Sequence, residues 1–195
     1  MGKSMIRIGR KQLVQAGVAA VLSAALVGCS RSGIDAPKGF QRFSEPNSTF
    51  TLVYPDTWTF NPDPKGAVRL SDPADATYQV SVVVSDAPRK DIKDIRAFGT
   101  PQQVADRFAN DVLKKKSPPG AVIEVSNAAQ RTDSKGVPYY SFEVVIASGG
   151  RAVHQVYCVA VSGGKVFTLV TGSAAIAWGE RREKIYQIVN SFTIS

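Results

Sequence analysis

The chain has 195 residues, 44% hydrophobic and 21% charged, the makeup of an ordinary globular domain long enough to bury a core. Two cysteines allow at most one disulfide, and neither a Cys-pair nor a His-pair metal spacing occurs, so disulfide scaffolds and zinc-finger classes are excluded. The formal charge of +8 is uneven: Lys3, Arg7, Arg10 and Lys11 precede any acid, and removing them lowers the net to +4, which takes away most of the basic signature a nucleic-acid binder would carry.

Those cations precede Leu13 to Val27, "LVQAGVAAVLSAALV", which is too short for a membrane span of ~20 residues and fits the apolar region of a secretory signal. The stretch ends in "LVGC", residues 26–29, which resembles the bacterial lipobox. That resemblance implies cleavage after Gly28 and acylation of Cys29, so that residues 1–28 are a lipoprotein signal peptide and the mature chain is tethered to a membrane, not embedded in it. "SRSGIDAPKG", residues 30–39, is polar and aperiodic and completes a lipidated linker, 29–39, with a flexible span of roughly 17 Å. Residues 40–195 form one folded domain.

From Phe40 the pattern is strand-like. "FTLVYP" at 50–55 predicts a strand ended by Pro55, and "YQVSVVVS" at 78–85 has the β-branched density of a buried strand. Residues 86–95 are a connection with room for one helical turn. The clearest helix is 99–116: Thr100 and Gln103 are spaced as a capping box, Pro101 suits the first turn, and Lys114, Lys115 and Lys116 sit where the helix dipole favours cations. Its apolar stripe is Val104, Phe108 and Val112, flanked by Ala105 and Leu113, so Phe108 is expected in the core, as is Trp58 after the Tyr-Pro break.

Four antiparallel strands follow, about 121–132, 137–148, 151–161 and 165–173, joined by "DSKG" and two "GG" turns that tolerate positive φ. The third carries Val153, Tyr157, Val159 and Val161 on one alternating set and Val156, Cys158 and Ala160 on the other. A strand apolar on both sides needs cover on both. Helix 99–116 supplies one layer; a C-terminal helix about 175–190, with Trp178, Ile185, Ile188 and Val189, supplies the other before a short "SFTI". The fold class is therefore α+β, an antiparallel sheet flanked by helices on both faces.

No Gly-rich phosphate loop and no nucleophile elbow occur, which leaves an enzymatic reading without support. Cys158, in the middle of an apolar strand, is expected to be an inert buried thiol. A two-residue "GG" hairpin places 145 opposite 154, which makes Glu143 a diagonal neighbour of His154. The two form either a hydrogen-bonded couple or two ligands of a divalent metal, a number that does not define a site. The basic runs Lys114–Lys116 and Arg181–Arg182 are solvated helix surface or a docking patch for an acidic partner. No patch has the aromatic interleaving of a nucleic-acid platform.

Four stretches in order, "FTLVYPDTW" at 50–58, "FGTP" at 98–101, "GVPYYSFE" at 136–143, and Trp178 followed by "SF" at 191–192, resemble the PsbP family of extrinsic lumenal photosystem II proteins. The lipobox points to its cyanobacterial lipoprotein branch. The resemblance implies the same sheet-and-helix sandwich, a thylakoid-lumen location on a lipid anchor, and photosystem II lumenal subunits or assembly intermediates as partners, with the chain otherwise a monomer. It also implies a possible divalent metal (Ca, Mn or Zn), though no ligand carries over residue by residue. Plant PsbP works through an N-terminal extension, in whose place this chain has the ten-residue linker. The resemblance thus implies a non-catalytic role in assembly or stability of the complex, against the alternative of a membrane-tethered metal or small-molecule binding protein.

Overall fold

The computed structural model describes residues 36–44, 49–61 and 67–195. The signal peptide, Cys29 and the linker up to residue 35 lie outside the described residues. A seven-stranded antiparallel sheet forms the centre, in the order β3 (Thr59–Phe60), β4 (Val68–Asp72), β5 (Asp75–Asp86), β9 (Lys165–Ala174), β8 (Arg151–Ser162), β7 (Pro138–Ser148), β6 (Val122–Thr132). A second sheet of three short strands places β2 (Phe50–Pro55) between β1 (Phe40–Phe43) and β10 (Thr193–Ile194).

Strands β6 to β9 match their expected bounds within a residue or two because their turns are chemically specified. Gly149 and Gly150 have φ of 57° and 75°, and Gly163 and Gly164 have 56° and 73°, as a two-residue hairpin with two left-handed positions requires. In the third turn, Asp133 Oδ1 accepts from the N–H groups of Lys135 and Val137, both at 2.9 Å.

Helix α1 (Pro101–Phe108) begins with the expected capping box: the Gln103 N–H donates to Thr100 Oγ1 at 3.3 Å, and the Thr100 N–H to Gln103 Oε1 at 3.0 Å. It continues through a π turn (Ala109–Leu113) into a last short piece, α2 (Lys114–Lys116). The buried line along it is Ala105, Ala109 and Leu113; Val104, Phe108 and Val112 are half-buried at its edge. This corrects the expected stripe centre by one residue. Phe108 still packs on Phe142 and Tyr157, with ring centroids 5.7 and 4.8 Å away. Trp58 is buried as expected and meets Tyr78 edge-on at 4.6 Å.

The two faces of β8 belong to two cores. Tyr157, Val159 and Val161 pack with Phe142, Val144, Ala105 and Leu113 under α1. Val156, Cys158 and Ala160 pack with Ile185, Ile188 and Val189 of α3 (Trp178–Ser191) and with Phe43, Phe50 and Leu52 of the small sheet. Helices cover both faces, and the small sheet, absent from the expectation, extends the α3 layer. Arg131 closes the C-terminus of α3, donating to the carbonyls of Phe192 and, at 3.3 Å, Val189. No helix among the described residues is long and apolar enough to cross a membrane.

Candidate functional site

Glu143 and His154 meet as the hairpin arithmetic requires. Val145 pairs with His154 and Glu143 with Val156, so both side chains lie on the α3 face of the sheet. His154 Nε2 is 2.7 Å from Glu143 Oε2, and Glu143 is 3% exposed. The other carboxylate oxygen, Oε1, accepts from the Tyr186 hydroxyl of α3 and lies 3.9 Å from the Arg182 guanidinium. The Asn127 side chain also favours the charged form of Glu143. Asn127 stands at φ 53°, beside a break in the β6–β7 register, and Asn is among the few residues that adopt this conformation readily. The His154 ring stacks on Trp178 with centroids 3.5 Å apart and planes 12° from parallel.

Burial of Glu143 opposes ionisation, but Tyr186, Asn127 and His154 together outweigh it and hold the carboxyl below its ordinary value. Burial, reinforced by the bond to Glu143, pushes the Tyr186 phenol up to about 12, so it remains a donor. Both carboxylate oxygens are thus engaged. Among the described residues no three His, Cys, Asp or Glu side chains converge as metal ligands. The hydrogen bonds through Glu143 to His154 and Tyr186 fasten α3 to the sheet.

The basic residues do not form one patch. Lys114, Lys115 and Lys116 end the α1 layer on one face; Arg181 and Arg182 begin α3 on the other. Arg181 is held in place, with Nη1 2.5 Å from Asp75 Oδ2 and the guanidinium 4.5 Å from the centre of the Tyr78 ring. Arg182 lies over Tyr186 at 5.1 Å and stays largely exposed. Cys158 is fully buried, and burial pushes its thiol up to about 11, as an inert cysteine requires.

An apolar recess of about 340 Å³ lies between α1 and the helical turn Ile95–Phe98, lined chiefly by Ile95, Phe98, Val104, Phe108, Val112 and Val159. Asp86, Arg107 and Asp111 are its charged lining residues, and Ser85 and Thr168 also line it.

Comparison with known proteins follows this architecture. The PsbP family model matches residues 38–194. CyanoP of Thermosynechococcus vestitus is 25% identical over 173 residues, covering 83% of this chain and 90% of that protein. The chloroplastic PsbP-like protein 1 of Arabidopsis thaliana is 26% identical over 161 residues, 83% of this chain and 67% of that one. The solution structure of cyanobacterial PsbP (CyanoP) from Synechocystis superposes with a TM-score of 0.67 at 23% identity, covering 87% of this chain and 99% of the other, and shows the same fold.

Proposed function

The chain belongs to the PsbP family, and on that premise we propose that it is a lipid-anchored accessory protein on the lumenal side of the thylakoid membrane, acting without catalysis on photosystem II before its oxygen-evolving apparatus is complete. The observation that carries this reading is a family match running the length of the folded domain, together with similarity to CyanoP over nine-tenths of that protein. The lipobox at 26–29 supports the anchor. The ten-residue linker in place of the plant extension supports assembly over service to the metal cluster. Tethering raises local concentration, so a weak protein interface is occupied without tight affinity.

Affinity isolation from detergent-solubilised thylakoids tests it. Tagged protein is expected with photosystem II assembly intermediates. Recovery only with complete, oxygen-evolving dimers overturns the assembly role, and recovery with no photosystem subunit overturns the reading altogether. The anchor is checked separately by the acyl mass on Cys29, which Cys29→Ser is expected to abolish.

A further inference from the structure

The two most exposed large apolar side chains among the described residues are Ile176, 98% exposed, and Val122, 57% exposed. They lie at one end of the central sheet. Val122 pairs with Ala147 and Ala147 with Ala152, while Ile176 follows directly on β9, whose last residue, Ala174, pairs with Val153. Ala152, Val153, Ala174 and Ala175 line a recess of about 440 Å³ beside Ile176.

Cations surround this apolar end. Lys114, Lys115 and Lys116 close the α1 layer just before the turn into β6, and Arg151 stands in the β7–β8 hairpin. All four are exposed, and none is in an ion pair. The acids of the adjoining turns and strand rows include Asp56, Asp111, Glu124 and Glu180, which are exposed, and Asp72, which is half-buried.

An independent observation concerns where the chain enters the fold. Phe40 pairs with Pro55, and the Asp56 N–H donates to the Gly39 carbonyl at 3.1 Å. Thr59, four residues after Pro55, pairs with Ser71 beside the Asp72–Asp75 turn, which lies at the end of the sheet where β9 finishes. The linker therefore joins the domain at the end that carries Ile176. On the anchor reading, a ten-residue linker with the expected span of roughly 17 Å would keep that end close to its anchor.

We propose that this end is a lipid-facing surface. Ile176 and Val122 enter the headgroup region of an anionic bilayer, Lys114, Lys115, Lys116 and Arg151 sit over its phosphates, and the sheet stands end-on to the membrane. The tether in this picture rests on the anchor reading above, whereas the surface rests on the described residues alone. Such a pose leaves the opposite end, with the Asp133–Gly136 turn, pointing away from the bilayer.

The test places a polarity-sensitive fluorophore on Ile176→Cys or on Ser134→Cys in the full-length chain, in vesicles of phosphatidylglycerol and phosphatidylcholine carrying a lipid-borne quencher. Cys158 is buried and does not label. The probe at 176 is expected to shift to the blue and be quenched, and the probe at 134 to do neither. Replacing Lys115, Lys116 and Arg151 together by Ser should reduce the response at 176, as should vesicles of phosphatidylcholine alone. Equal responses at both positions, or a stronger one at 134, overturn the proposal. So does a probe at 176 that stays aqueous in vesicles yet becomes shielded in native membranes, which assigns the surface to a protein partner. Repeating both probes on a Cys29→Ser background separates the two claims: missing acyl mass on the parent chain overturns the anchor, while a salt-sensitive blue shift at 176 in the lipid-free chain still supports the surface.

Discussion

Glu143 is the residue with most at stake, because it is buried, charged and shared by three strands or helices. Its folded pKa lies below the ordinary 4.5. The sign follows: the stability it contributes is fully present above the unfolded value and is lost as the pH falls through the folded value. Glu143→Gln should therefore cost about 1–3 kcal/mol near neutral pH, with the gap to wild type closing in denaturant melts only as the pH falls below the ordinary carboxylate range. A gap independent of pH would show that the charge contributes nothing. The approach of Glu143 to His154 was legible because the Gly-Gly turn sets the register and register sets neighbours. Tyr186, Trp178 and Asn127 were not, because they arrive from a helix and from a bulge that no local periodicity announces. An Asn in the middle of β6, a residue type depleted in strands, is the signal the sequence offers for the bulge.

At the scale of elements, turn chemistry makes β6 to β9 readable, whereas β3 and β4, of two and five residues, are too short to carry an alternating pattern even though "NPDPKG" and "DPAD" mark turns beside them. The helix stripe lies one residue later than expected because the expectation weighted the large Val104 and Phe108, whereas the small Ala105 and Ala109 are the residues buried against the sheet. The correction changes a magnitude. Trp58→Ala should cost ~3–5 kcal/mol as a fully buried truncation. Phe108→Ala, from a half-buried position, should cost about 1.5–2.5 kcal/mol, and equal losses would place Phe108 in the core after all. Gly172 marks a tighter constraint between elements. A Cβ there would lie 2.3 Å from the His154 carbonyl oxygen and 2.8 Å from Gln155 Cα, all on central strands. Gly172→Ala should destabilise by about 1–3 kcal/mol and alter tryptophan fluorescence, since His154 carries Trp178. An unchanged melt and spectrum would show that β8 and β9 separate freely.

At the scale of the whole molecule, the two-sided apolar pattern of β8 was enough to demand a helix on each face. The small sheet leaves no local signal in the sequence because it joins the two ends of the domain: Thr51 and Thr193, bonded at 2.9 Å, are 142 residues apart. That separation of faces also decides what the basic residues can do. Arg181 is anchored to Asp75, whose carboxyl is brought down to about 2, first by the Thr77 hydroxyl and then by Arg181. A depressed carboxylate contributes stability above its unfolded value and loses it only as the pH falls toward the folded one. Arg181→Ala should lower stability by about 1 kcal/mol, a modest sum for a partly exposed pair with ring stacking, and should start acid unfolding at a higher pH. Lys115→Glu with Lys116→Glu, exposed and unpaired on the other face, should leave the melt within about 0.5 kcal/mol of wild type. Their effect should appear in association, as weaker attraction to anionic surfaces and a flatter salt dependence. If instead the lysine pair melts early while Arg181→Ala is silent in the melt but impairs binding, the roles are reversed and the docking face is that of α3.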